Sequence, residues 1–134
     1  MVSVPEAEKT EKITINLGLV DLGSIDLLVS EGFYANRTDF IRTAIRNSLS
    51  AAAPAVNSTL TRKTLVLGTE HYTRHDLEQL REAGQRIRIR VVGLATIASD
   101  VPPELALATI ESVEVLGAFR ASAAVRAALA PRTT

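Results

Sequence analysis

The chain has 134 residues, no formal net charge and 46% hydrophobic residues, which suits one domain or two small ones and excludes global disorder. It contains no cysteine, so disulfides, thiolate metal sites and thiol catalysis are excluded. No apolar run approaches membrane-spanning length, and Met1-Val2-Ser3-Val4-Pro5-Glu6 lacks the charged-then-apolar pattern of a leader, so the expected location is the cytoplasm and no membrane partner is expected.

Residues 1–11 are polar and read as a flexible arm. Lys12-Ile13-Thr14-Ile15-Asn16-Leu17 alternates with period two, which places Ile13, Ile15 and Leu17 on one face of a strand and Lys12, Thr14 and Asn16 on the other. One such strand leaves both edges unpaired. Two copies side by side form a ribbon narrow enough to enter the major groove of DNA, so the segment predicts a dimer with a nucleic-acid partner. A helix is expected from about Val20 to Glu31, with Ile25, Leu28 and Val29 as its buried stripe and Gly32 as its stop. A second helix starts with Asn36 as cap and Asp39 three residues on. Phe40, Ile41, Ala44, Ile45 and Leu49 fall at helical spacing, with Arg42 and Arg46 on the wet side.

Over about residues 11–50 the chain resembles the ribbon-helix-helix family of DNA-binding proteins, the CopG, Arc and MetJ type. The resemblance rests on the strand pattern, the helix pair, the break at Gly32-Phe33-Tyr34 and the helix start Asn36-Arg37-Thr38-Asp39-Phe40-Ile41-Arg42. It implies two antiparallel strands in the major groove, with Lys12, Thr14 and Asn16 as base readers. Their chemistry suits the task, because Lys donates to guanine, Asn pairs with adenine and Thr donates, accepts or touches a thymine methyl. The resemblance also implies phosphate contacts at the start of the second helix, near Arg37 and Thr38. The dimer core would be Ile13, Ile15, Leu17, Phe40, Ile41 and Ile45. The charge balance runs the other way, since residues 1–50 hold five Lys or Arg and seven Asp or Glu. Affinity must then come from the placement of charge rather than from a bulk field.

Residues 51–62, with Pro54 and a run of small side chains, read as a linker that prolongs the preceding helix at most briefly. Residues 63–134 contain a repeat: Leu65-Val66-Leu67-Gly68, Arg90-Val91-Val92-Gly93 and Glu114-Val115-Leu116-Gly117. A helix signal follows each glycine: Thr73 with Asp76, stopping near Gly84; Asp100 with Pro102-Pro103-Glu104; and Ser122, stopping before Pro131. Such periods predict stacked strand–helix units with a parallel sheet and all helices on one side. The fold expected overall is α/β, a dimeric N-terminal ribbon-helix-helix module followed by three repeated strand–helix units.

Aligning the glycines puts Thr64, Ile89 and Val113 in one row and Val66, Val91 and Val115 in another, both on the helix side. Leu65, Arg90 and Glu114 line up on the opposite face, as do Leu67, Val92 and Leu116. Arg90 and Glu114 are placed to pair. The row Leu67, Val92, Leu116 has no helix left to cover it and is a candidate oligomer surface.

His71 and His75 stand four apart, a metal spacing only if both lie on a helix; Thr73 as a cap puts His71 before it, so no metal site is expected. Arg86, Arg88 and Arg90 share a strand face, for phosphate or an acidic partner or, more simply, as a solvated face balanced by Glu114 and nearby acids. There is no phosphate-loop glycine pattern and no nucleophile constellation, so neither an enzyme nor a cofactor is expected. The reading is a sequence-specific transcriptional regulator, a repressor acting as a dimer or tetramer, with double-stranded DNA and itself as partners. The alternatives are an antitoxin, whose tail would order only on its toxin, and a self-assembling scaffold in which the ribbon merely dimerises.

Overall fold

The computed structural model describes residues 9–134. The elements in chain order are α1 (Leu19–Ser30), α2 (Arg37–Lys63), β1 (Val66–Tyr72), α3 (Arg74–Glu82), β2 (Ile87–Ile97), α4 (Pro103–Thr109), β3 (Ile110–Arg120) and α5 (Ala123–Leu129). A 3-10 turn, Ala130–Arg132, follows α5. The described residues fall into two units, residues 12–59 and residues 60–134, the second including residues 9–11.

In the first unit, α1 ends as its sequence demands. Gly32 takes φ +83, its N–H donates to the Val29 carbonyl, and the Phe33 N–H reaches back to Leu28. Both bonds satisfy carbonyls that the helix end would orphan, and the left-handed residue between them is a glycine. Ile25 is buried, and Leu28 and Val29 are half-buried. Residues 10–18 form neither helix nor strand among the described residues. The strand expected over 12–17 has no ladder here, since an isolated strand has no second backbone to bond.

The expected linker, residues 51–62, is instead helical, because α2 runs unbroken to Lys63. Ala51, Ala52, Ala53 and Ala55 are the strongest helix formers available, and they carry the chain past Pro54, which sits inside the helix. The stop comes at Thr64, with φ +56. Its N–H bonds the Thr61 carbonyl and the Leu65 N–H bonds Leu60, the same closure that Gly32 makes but with a β-branched residue at the left-handed position.

In the second unit the three strands lie in the order β1-β2-β3, all parallel. The glycines are in register, Gly68 with Gly93 and Gly93 with Gly117. The rows Val66–Val91–Val115 and Leu67–Val92–Leu116 follow, and Ile89 pairs with Val113. Two expected alignments do not occur. Thr64 and Leu65 are spent on ending α2, so β1 starts only at Val66 and neither residue reaches the sheet rows assigned to it.

One core forms between the helices and one face of the sheet. It joins Leu77 of α3, Leu105 and Ala106 of α4, and Val125 and Leu129 of α5 to Ile89, Val91, Ala95 and Val113. Val66, expected beneath a helix, is exposed at the start of the edge strand. Thr73 and Asp76 form a full capping box on α3, and Ser122 caps α5 through the Val125 N–H. Asp100 does not cap α4. That helix starts from Pro102, and the Asp100 carbonyl accepts from Arg74.

The face away from the helices is covered in part. An Arg120 N–H donates to the Thr10 carbonyl, and residues 9–11 border a cavity with Leu67, Val92, Leu94 and Ala118. Residues 1–8 of the arm expected at the N-terminus lie outside the described residues. Leu94 and Thr96 on this face are buried, whereas Leu67 and Leu116 are 60% and 55% exposed.

Candidate nucleic-acid interface

The chemistry assigned to the first unit sits on two short segments. In residues 12–17, Lys12, Thr14 and Asn16 are exposed, and so are their apolar neighbours: Ile13 is 77% exposed and Ile15 61%. Isoleucine at that exposure is unusual for a folded unit, and here the apolar side chains alternate with polar ones over six residues.

The second segment is the start of α2. The Asn36 side-chain oxygen accepts the Asp39 N–H at 2.8 Å, and the Asp39 carboxylate accepts the Ala35 N–H at 3.0 Å. The box expected from the sequence thus closes one residue earlier on its return bond. The edge of one ring of the Tyr34–Phe40 pair meets the face of the other, with centroids 5.0 Å apart, which pins the turn onto the helix it precedes. Thr38 is exposed in the first turn of α2, and Arg42 and Arg46 are exposed further along. Of the expected dimer-core residues on this helix, Phe40 and Ile41 are half-buried and Ile45 is exposed.

Arg37 is not an idle cation. Its Nε and one terminal nitrogen donate to the two carboxylate oxygens of Asp26 on α1, both at 2.8 Å. The hydrogen bonds from Arg37 hold the Asp26 carboxyl below the usual carboxylate range, and the pairing pushes the Arg37 guanidinium up. Sequence reasoning missed Asp26, because eleven residues and a turn separate the partners and no local spacing links them.

In the second unit Arg88 and Arg90 lie on β2 while Arg86 precedes it, and all three are committed within the protein. Arg88 pairs with Glu111 at 2.9 Å and Arg90 with Glu114 at 3.2 Å. Arg86 donates to the Leu107 carbonyl, and Arg132 donates to Leu107 and Ile110, so two guanidiniums close the C-terminal end of α4. His71 lies on β1 and bonds the Thr96 hydroxyl across the sheet, while His75 lies on α3, so the two never share a helix. Among the described residues no group of three or more His, Cys, Asp or Glu is placed to hold a metal ion. No helix among them is long and apolar enough to cross a membrane.

Comparison with known families supplies the context for this geometry. The model of the Ribbon-Helix-Helix transcriptional regulator family matches residues 8–126, which takes in the exposed alternating segment, both helices of the first unit and most of the strand–helix unit. No curated protein and no solved structure matches the chain. With a match over so much of its length, the chain belongs to the ribbon-helix-helix transcriptional regulator family.

Proposed function

We propose that the protein is a DNA-binding transcriptional repressor that works as a dimer through residues 12–17 paired antiparallel with the same residues of a second copy. The observation that carries this reading is the lack of a core in residues 12–59. Ile25 is their sole buried hydrophobic residue, while Ile13, Ile15, Leu17, Leu27, Ile45 and Leu49 stand exposed. A unit of that size with one buried apolar side chain cannot offset its own ordering entropy. Pairing with a second copy covers Ile13, Ile15 and Leu17 and leaves Lys12, Thr14 and Asn16 outward, toward base edges in the major groove. Backbone N–H groups near Arg37 and Thr38 then face phosphate at the positive end of α2.

The second unit joins dimers into a tetramer through the exposed row that contains Leu67 and Leu116. Linking two dimers raises apparent affinity without new base contacts, which suits a module with more acids than bases. The shared core of α3, α4 and α5 supports this reading over that of an antitoxin, whose tail would lack such a core before meeting its partner. Selection of bound sites from random duplex DNA, with mass measurement of the bound species, tests the proposal. Enriched half-sites bound by an even number of chains are expected. Failure to enrich any sequence, with a monomeric mass, rejects it.

A further inference from the structure

The bidentate pair between Arg37 and Asp26 has the geometry by which a guanidinium grips a phosphate. Two parallel N–H donors meet two oxygens of one planar or tetrahedral anion, which is why arginine serves both carboxylate and phosphate. In this chain an internal carboxylate occupies both donors, on the first residue of α2, next to the Asn36 cap. Both side chains remain about half exposed, so an incoming phosphate has open access to the guanidinium. An exposed pair of this kind contributes little to stability, so its exchange for another anion carries little folding cost.

We propose that Asp26 is an affinity-setting residue that competes with the DNA backbone for the guanidinium of Arg37. The inference rests on the DNA-binding reading above. In the free protein the carboxylate stands in for a phosphate oxygen pair and cancels the charge that would draw Arg37 to the duplex. On DNA, Arg37 turns from Asp26 to a phosphate, and the cost of breaking the internal pair is subtracted from the affinity. The effect is a brake on the backbone part of binding, at the operator as on random DNA. Each dimer has two such arginines, and phosphate contacts contribute to every site, whereas base contacts contribute only at the operator. A module short of positive charge is thereby made weaker on random DNA and on the operator by the same factor, so occupancy of random DNA falls while the ratio between the two is left to the base contacts.

The test is a double-mutant cycle on the full-length protein, with Asp26→Asn, Arg37→Gln and the double variant, titrated onto the selected site and onto random duplex over a salt series. Circular dichroism spectra that match wild type establish that all variants fold. Asp26→Asn is expected to tighten binding to both duplexes roughly tenfold with little change in the salt slope, because Arg37 reaches a phosphate in both proteins and the variant only spares the breaking of the internal pair. Arg37→Gln is expected to cost more in the Asp26→Asn background than in wild type, because in wild type the gain from the phosphate contact is offset by breaking the pair with Asp26. Equal costs in both backgrounds would mean a bulk charge effect and overturn the competition. Weaker binding by Asp26→Asn would make Asp26 a support for Arg37, and would overturn it too. If no variant, wild type included, binds any duplex, the DNA-binding reading itself fails and the competition fails with it.

Discussion

The carbonyl oxygen of Gly68 lies 2.1 Å from the point where a Cβ on Gly93 would stand. The same relationship recurs one strand over, between Gly93 and Gly117, and all three glycines have φ between +117 and +139. Backbone approaches backbone here, so no side chain can give way. Gly93→Ala and Gly117→Ala are expected to destabilise the second unit by about 3 kcal/mol or more, through clash added to strain. Gly68→Ala meets open space on its outer side and is expected to cost about 1–2 kcal/mol from its φ alone. Urea unfolding of the three variants checks this order, and equal losses at all three sites would refute the clash.

The end of α2 yields a prediction of opposite sign. Thr64 takes a left-handed conformation that glycine reaches without strain. Thr64→Gly is expected to stabilise the protein by about 1 kcal/mol, the relief of strain exceeding glycine's entropic penalty. Thermal unfolding measures it, and a lower midpoint would contradict the helix stop at this residue.

The box on α3 has a pH signature. Bonds from the Thr73 backbone N–H and hydroxyl hold the Asp76 carboxyl below its ordinary value. A carboxylate with a depressed folded pKa stabilises the fold fully above its unfolded pKa, and that contribution is lost as pH falls through the folded one. Asp76→Asn is therefore expected to be less stable than wild type at neutral pH, with the gap closing in acid. Thr73→Ala is expected to lose about 1 kcal/mol by removing the cap itself. Denaturant unfolding at several pH values separates the two, and a gap that widens in acid would argue against the assignment.

If residues 12–17 read DNA as proposed, Asn16→Ala is expected to cost about 1–3 kcal/mol at the preferred site and little on random duplex, relaxing discrimination at one base pair. Lys12→Ala is expected to weaken binding and flatten the salt slope by about one per protomer if it touches phosphate as well as base. Competition titrations against variant sites report both, and unchanged discrimination by Asn16→Ala would remove it from the readers.

The exposed row on the second unit predicts an assembly effect. Leu67→Glu with Leu116→Glu is expected to shift the mass in solution from tetramer to dimer and to leave the far-ultraviolet circular dichroism unchanged, since both side chains face solvent in the single chain. A tetramer that survives both charges would place the contact elsewhere.

Legibility in the sequence followed the range of each signal. Gly32, the Asn36–Asp39 pair and the Thr73–Asp76 pair act within five residues, and each was visible as a spacing. The register of Gly68, Gly93 and Gly117 is a long-range feature, yet the repeat wrote it into the chain. The extent of α2 was hidden, because Pro54 reads as a stop while the alanines around it outweigh it, and the true stop at Thr64 uses a residue that rarely adopts a left-handed φ. That misplacement also shifted Thr64 and Leu65 out of the sheet rows assigned to them. Asp100 looked like a cap, but Pro102 already sets the entry of α4. The link from Asp26 to Arg37 and the guanidiniums of Arg86 and Arg132 on the α4 carbonyls depend on tertiary geometry that no spacing encodes. The ribbon is a third kind of case, since the ladder proposed for residues 12–17 needs the backbone of a second chain.

The in-register glycines also bear on how this chain can change over generations. Each span from one glycine to the next supplies one strand and one helix, and each strand hydrogen-bonds its neighbour in the same parallel sense. A tandem duplication of residues 69–93 would therefore insert a complete layer that matches the layers on either side. Residues 12–59 would be untouched, so the two units are open to separate histories.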